Sequence, residues 1–308
     1  MSSPALRFDD VRKRFGAIEA LRGLSLEVPS GTLFGLVGPN GAGKTTAFSI
    51  ACGFLSPDVG SVQVLGHSGF DPARLKGRLL ALPQDAVLGR ETRCLDLLVF
   101  FGRLQGLTAA AARRDAERVL EEVGLTDRRK APTKTLSHGM LRRLSVAQAL
   151  LGAPDIVLLD EPTSGLDPRH AHELRELLRR NRQVGRTFLI SSHNLPELET
   201  LCDHVAFIDR GQVVAAGAID VVTGKGQEVE IDLAAGPEPI DAVTRALPAA
   251  QVSWNAERRI LRITFRPEAG NAVEDVIGAA LRALLDGGAR IGGVRRGTSL
   301  ERKFLEMT

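Results

Sequence analysis

The sequence predicts an α/β layered domain, interrupted by a helical insertion and followed by a smaller α+β domain. Three observations carry this. Short apolar strands alternate with helical periodicities over the first two thirds of the chain, the pattern of a sheet with helices on its faces. One of those strands leads directly into a glycine-rich loop, Gly38-Pro39-Asn40-Gly41-Ala42-Gly43-Lys44-Thr45-Thr46. Past a turn-rich linker at Gly217 to Gly226, the order becomes β, α, β, β, α, β, the split βαβ or ferredoxin-like arrangement. A length of 308 residues suits about two domains, and 44% hydrophobic content can fill their cores.

In chain order, Leu6 to Val11 and Leu24 to Val28 alternate apolar and polar residues as half-exposed strands do. Between them lies Lys13-Arg14-Phe15-Gly16, where Phe15 on a turn is either a minor hydrophobic anchor or a ring that stacks on adenine. Leu33 to Val37 reads as a buried strand and Thr46 to Cys52 as the helix after the loop. Strands follow at Ser61 to Leu65 and Leu79 to Leu82, the latter ending at Pro83-Gln84. From Cys94 to Gly124 apolar residues recur at helical spacing, so residues 86–150 read as a mostly helical insertion. The run Ile156 to Leu159 is continuously apolar, as a central parallel strand requires. A helix (Pro168 to Asn181), a strand (Thr187 to Ser191), a short helix (Pro196 to Cys202) and a hairpin (His204 to Ala216) complete a first domain of residues 1–222. The second, 223–308, places strands at Glu228 to Leu233, Gln251 to Trp254, Arg259 to Phe265 and Arg290 to Val294, with helices at Ile240 to Ala246 and Ala272 to Leu285. An amphipathic tail, Leu300 to Met307, closes it.

Composition excludes several function classes. The net charge of +3 is small for this length, and residues 225–308 balance 12 Lys/Arg against 12 Asp/Glu, so there is no electrostatic footprint for nucleic acid. Three widely spaced cysteines, Cys52, Cys94 and Cys202, predict reduced thiols of a cytoplasmic protein without a disulfide framework. No window approaches the ~20 apolar residues of a membrane span, so a membrane role is expected to come through a partner.

The loop satisfies GxxxxGK[ST], with a strand before it and a helix after it, which is the setting of a P-loop. Its glycines let backbone N–H groups turn inward around a phosphate at the positive end of a helix. Lys44 is expected to reach the β- and γ-phosphates and the Thr45 hydroxyl to bind Mg²⁺. A hydrolytic P-loop needs a second strand that delivers a carboxylate to the metal, and Asp160 ends the apolar strand at Leu159. Glu161 faces away from its neighbour and is the candidate for polarising the attacking water.

Further along, Leu136-Ser137-His138-Gly139-Met140 opens a helical run, Leu141 to Leu151. Ser164-Gly165-Leu166-Asp167 and Ser191-Ser192-His193 follow in that order. With the P-loop, this series resembles the ATP-binding cassette (ABC) family of P-loop NTPases over roughly residues 1–220. The resemblance implies that Gly38 to Thr46 (Gly38, Pro39, Asn40, Gly41, Ala42, Gly43, Lys44, Thr45, Thr46) is the Walker A motif and Ile156 to Asp160 the Walker B strand, with Glu161 the catalytic carboxylate. It implies that Gln84 is the Q-loop ligand of Mg²⁺ and water, that Phe15 stacks on adenine, and that His193 is the switch histidine on the γ-phosphate. Ser137 and Gly139 match the signature motif, which in this family contacts ATP bound to the opposite subunit, and Asp167 matches the D-loop.

The family's usual LSGGQ departs here at His138 and Met140. Arg142 and Arg143 just beyond read as a solvated or domain-bridging charged face. Because Walker A and the signature lie at opposite ends of such a domain, the resemblance implies two cassettes head to tail, a homodimer or a pair with a partner cassette, closed by ATP and opened by hydrolysis. A cassette without a span of its own most resembles the ATPase subunit of a transporter whose permease is a separate protein, placing it in the cytoplasm on the inner face of the cell membrane. Val87 to Gly106, with Leu88, Phe100 and Phe101, is the expected docking region. The second domain and its tail Thr298 to Thr308 resemble the ABC-2 type, drug-resistance exporter ATPases. The rival expectations are an importer ATPase and a soluble non-transport ABC ATPase.

Overall fold

The computed structural model describes residues 3–69, 71–84, 88–225, 227–266 and 272–307. Met1, Ala86, Val87, Gly226 and Thr308, which bound several of the expected segments, lie outside the described residues. The chain divides into two compact units, Met1–Ala216 and Gly217–Thr308.

In the first unit, β1 (Leu6–Phe15) and β2 (Ile18–Val28) form a hairpin, followed by β3 (Leu33–Val37), α1 (Lys44–Ala51), β4 (Val59–Val64), β5 (His67–Ser68), α2 (Pro72–Leu75) and β6 (Leu79–Leu82). The helical insertion is α3 (Cys94–Leu104), α4 (Ala109–Glu122) and α5 (His138–Ala149), joined by two 3₁₀ turns. Then come β7 (Ile156–Asp160), α6 (Pro168–Gln183), β8 (Thr187–Ser192), α7 (Leu195–Leu201), β9 (His204–Asp209) and β10 (Gln212–Ala218). One sheet runs β10-β9-β3-β8-β7-β6 and another β2-β1-β4-β5. In the first, β3 pairs in parallel with β8 and β9, and β7 with β6 and β8. Every residue of β3, β7 and β8 is buried, which is why β3 and Ile156 to Leu159 of β7 read as unbroken apolar runs, while β8 also buries the polar Thr187, Ser191 and Ser192. Their C-terminal ends lie side by side, with Asp160 paired to Ser191 and Val37 to Ser192.

The differences from the sequence expectations have local causes. β1 runs on to Phe15 although its alternation ends near Val11, because a register shift between Phe8 and Val11, with Asp10 at φ 43°, breaks the period without ending the strand. Phe15 therefore closes a strand, opposite Ile18. The helix after the loop begins at Lys44, because Gly43 at φ 105° completes the loop one residue earlier. The division between units falls at Gly217, upstream of 222/223. The short α8 (Ile219–Val222) leads into Thr223, whose carbonyl accepts the Thr298 N–H at 2.8 Å within the second unit. Leu88, expected to be exposed for docking, is buried, whereas Phe100 is exposed and meets Phe101 edge-on at 5.6 Å.

The second unit continues with β11 (Glu228–Ala235), α9 (Ile240–Ala246), β12 (Gln251–Asn255), β13 (Ile260–Thr264), α10 (Val273–Asp286), β14 (Arg290–Arg296) and α11 (Leu300–Met307). Its sheet order, β12-β13-β11-β14 with antiparallel pairs, is the ferredoxin-like one. Val229, Ile231 and Leu233 pack with Val243, Val276, Ala280 and Leu284. The intervening Glu228 and Glu230 are buried as well, paired with Arg262, Arg302 and Lys303.

Candidate functional site

The loop after β3 follows from its glycines. Gly41 and Gly43 sit at φ 83° and 105°, where side chains are strained. A Cβ on Gly38 would lie 2.2 Å from the Ile208 carbonyl oxygen, so only glycine lets the loop leave β3 alongside β9. The N-terminus of α1 has no side-chain cap, which leaves its first N–H groups for a ligand. Lys44 is buried, and its Nζ donates to the carbonyls of Gly38 (2.6 Å) and Pro39 (3.0 Å). Burial pulls its pKa down, against the opposing pull of Glu161 and Asp160.

At the ends of β7 and β8 the polar groups interlock. Thr45 Oγ1 donates to Asp160 Oδ2 at 3.2 Å, and the Ser191 hydroxyl donates to Asp160 Oδ1. Glu161 sits at φ 50°, its N–H bonded to Ser191 Oγ (3.1 Å) and to the Ser191 carbonyl (3.2 Å). Its side chain is buried, and Oε1 accepts from His193 Nδ1 at 2.9 Å, although the His193 ring is 69% exposed. A pairing of Glu161 with His193, the residue immediately past β8, was not legible in strand alternation; it results from the left-handed turn at Glu161.

Lys44, Thr45, Asp160 and Glu161 converge on one cavity of about 290 Å³, lined also by Phe15, Ala20, Asn40, Gly41, Gly43, Thr46 and Gln84. Phe15 is half exposed beside it, with Lys13 Nζ 5.9 Å from its ring. The hydroxyl of Thr45 and the carboxylate of Asp160 form a hard-oxygen pair that fits Mg²⁺, which uses one or two protein oxygens and takes its remaining ligands from phosphate and water.

Seven expected site residues do not line this cavity: Gly38, Pro39 and Ala42 lie within the loop behind it, His193 lines a neighbouring pocket that shares Glu161, and Ser137, Gly139 and Asp167 lie elsewhere. Ser137 is exposed and caps α5, accepting from the Met140 N–H at 3.3 Å. Gly139 lies on the same turn, near His170 and Leu166. Asp167 is an exposed cap of α6: it accepts from the His170 N–H at 3.0 Å and contacts His170 Nδ1 at 2.5 Å, and that backbone bond above all holds its carboxyl below the usual range. His138 packs on the loop at Gly165, where an added Cβ would lie 2.7 Å from its Nε2.

Arg142 is not the solvated residue of one expectation but the domain-bridging one of the other, since it ties the helical insertion to the strand ends. It is 8% exposed, and its guanidinium donates to the carbonyls of Pro162 (3.0 Å), Gln84 (3.2 Å), Asp160 (2.8 Å) and Glu161 (2.6 Å). A charged pair in a helix after a polar motif looks solvated in sequence; the carbonyls that draw this one inward come from two distant segments. Arg143, partly buried, donates to Val123 O at 3.0 Å and so joins α5 to the end of α4 within the insertion.

The daunorubicin resistance ATP-binding protein DrrA3 of Streptomyces coeruleorubidus is 35% identical over 314 residues, spanning 100% of this chain and 97% of that protein. The chain belongs to the ABC transporter family. The family model described as ABC transporter matches residues 21–164, from within β2 to just past β7. The linearmycin resistance ATP-binding protein LnrL of Bacillus subtilis (strain 168) is 35% identical over 230 residues, 74% of each chain. The Nod factor export ATP-binding protein I of Ralstonia nicotianae is 41% identical over 217 residues, 70% of this chain and 68% of that one. Among solved structures, the ADP conformation of an ATP-binding cassette of an ABC transporter matches with a TM-score of 0.64 at 26% identity, covering 72% of this chain and 95% of the other. A nucleotide-free cassette gives 0.63 at 27%, covering 70% and 91%. This ABC chain is thus an ATP-binding subunit with resistance- and export-type relatives, in a family that binds and hydrolyses ATP and works with membrane permeases. Among the described residues no helix is long and apolar enough to cross a membrane.

Proposed function

We propose that this chain hydrolyses ATP to drive export through a separate permease, as one half of a head-to-tail dimer, with a second copy of itself as the other half. The observation that carries this is the composition of the 290 Å³ cavity, which gathers Phe15, the phosphate loop, Gln84, Asp160 and Glu161 without Ser137 or Gly139. The site is a half-site. Ser137 and Gly139, at the exposed start of α5, complete the site of the opposite subunit, and Asp167 lies at that junction.

Within the half-site, Phe15 stacks on adenine, and the N–H groups of Gly38 to Thr46 with Lys44 hold the phosphates. Glu161 accepts the proton of the attacking water. His193, tied to Glu161 at 2.9 Å, orients that carboxylate and donates to the γ-phosphate. Thr45, Asp160 and Gln84 would hold Mg²⁺, which neutralises charge on the β- and γ-oxygens when bound. Closing the dimer over ATP and reopening it after hydrolysis is the work stroke. Export is supported by relatives named for daunorubicin resistance, linearmycin resistance and Nod factor export. Attachment to the inner face of the membrane runs through the permease, with the exposed Phe100 on α3 part of the docking surface.

Gentle purification from native membranes tests this. An integral permease accompanying the protein is the expected result, and ribosomes or DNA in its place would overturn it. Lys44→Ala is expected to weaken nucleotide binding in the same preparation, and unchanged affinity would refute the phosphate-loop roles.

A further inference from the structure

Arg142 belongs to α5, the helix that Ser137 caps, and lies little more than one turn from that cap. Its guanidinium reaches the far side of the helix and binds four main-chain carbonyls from two loops. Gln84 follows β6, and Asp160, Glu161 and Pro162 end and follow β7, the strand that pairs with β6. One buried cation thus pins α5 to the ends of both strands that deliver Gln84, Asp160 and Glu161 to the cavity. The carbonyl of Glu161 is among its acceptors, and Glu161 holds the left-handed φ of 50°, a conformation that persists only where several contacts fix it. Ser191 fixes that residue from its N–H side and Arg142 from its carbonyl side.

We infer that Arg142 is a positioning residue that couples the signature end of α5 to Glu161 of the same chain, and so links the two ATP sites of a dimer. This rests on the half-site reading above. Ser137 at the start of α5 faces ATP held by the partner subunit, while Glu161 acts on ATP held by its own loop. A continuous helix from His138 to Ala149 is a stiff lever, so a shift of its first turn on ATP closure is carried by the guanidinium to the carbonyls of 160–162. The Glu161 carboxylate is set against the water only when the partner's site is also filled. Arginine suits this because its planar fork spans several acceptors at once; a lysine ammonium at that place satisfies fewer of them and does not fix their relative positions.

The test uses the full chain. Arg142→Lys is expected to lower kcat for ATP by at least tenfold while KM and the Kd of a fluorescent ATP analogue stay within twofold. Unchanged kcat, or a KM that rises in step with the fall in kcat, would overturn the positioning role. In a double-mutant cycle with Ser137→Ala, the two losses in kcat are expected to fall short of multiplying by at least fivefold, and simple multiplication would overturn the coupling. If Arg142→Lys does not fold, hydrogen exchange on Glu161→Gln, which keeps Arg142, decides. ATP should protect the backbone of 160–163 together with the first turn of α5, and protection of α5 alone would overturn the link. The dimer reading fails separately, if Glu161→Gln stays monomeric by size exclusion in saturating ATP and Mg²⁺.

Discussion

Glu161→Gln separates chemistry from folding in this site. The carboxylate is buried, with Oε1 taken by His193 Nδ1 at 2.9 Å and the backbone held by Ser191 and Arg142. Glutamine has the same shape, and its carbonyl oxygen accepts the same bond from His193. Only one charge-assisted bond becomes neutral, so stability should change by no more than about 1 kcal/mol. If Glu161 is the base proposed above, the variant loses the group that accepts the water's proton, an effect of about 10²–10⁴ in rate. At about 1.4 kcal/mol per decade this adds roughly 3–5 kcal/mol to the barrier. Phosphate release by the purified protein should therefore fall at least a hundredfold while the melting temperature and nucleotide affinity hold. ATP-bound dimer should accumulate on size exclusion, because the step that reopens it is blocked. Turnover within tenfold of the native protein would refute the assignment of Glu161 as the base.

Gly38→Ala should cost about 1–3 kcal/mol by overpacking, since the new methyl meets the Ile208 carbonyl oxygen at 2.2 Å and Ile208 Cγ2 at 2.8 Å; chemical denaturation reads this, and unchanged stability would refute it. Burial raises the thiols of Cys52, to about 12, and of Cys94 and Cys202, so none should react with iodoacetamide at pH 8 before unfolding, and rapid alkylation of the native protein would contradict this. Burial also raises the pKa of Glu197, against the Thr163 hydroxyl at 2.8 Å and Arg175. The folded state then binds the proton more tightly than the unfolded chain, so this carboxyl costs stability as pH rises from its unfolded pKa through its folded one. Glu197→Gln should gain stability relative to the native protein between about pH 4.3 and neutrality, and a difference that stays constant across that range would count against it.

What the chain disclosed in advance follows from the range of the interactions involved. β3 and β7 were legible because a strand buried on both faces must be apolar throughout, and the phosphate loop was legible because its glycines are demanded by local backbone geometry and by close approach. The ferredoxin-like order was legible from element spacing, though the boundary at Gly217 was not, since it depends on Thr223 meeting Thr298 across a long stretch of sequence. The burial of Arg142 was not legible for the same reason: its acceptors lie 18 to 58 residues away, and nothing in the helical period of α5 chose bridging over solvation for it. The altered signature shows in the sequence only as departures at His138 and Met140. The packing of His138 on Gly165 depends on a loop that follows β7 and is invisible in the motif itself.

Lys44 has a consequence for how nucleotide enters. Its ammonium rests on the carbonyls of Gly38 and Pro39, so the loop carries its own provisional partner for the cation that phosphate will later claim. Under the proposed role of Lys44, arrival of ATP would be an exchange of acceptors on a charge already buried and already placed. The affinity of the site is accordingly a difference between two sets of bonds to one ammonium group. A loop loosened at Pro39 would bind phosphate more tightly, not because it touches phosphate better but because it competes less.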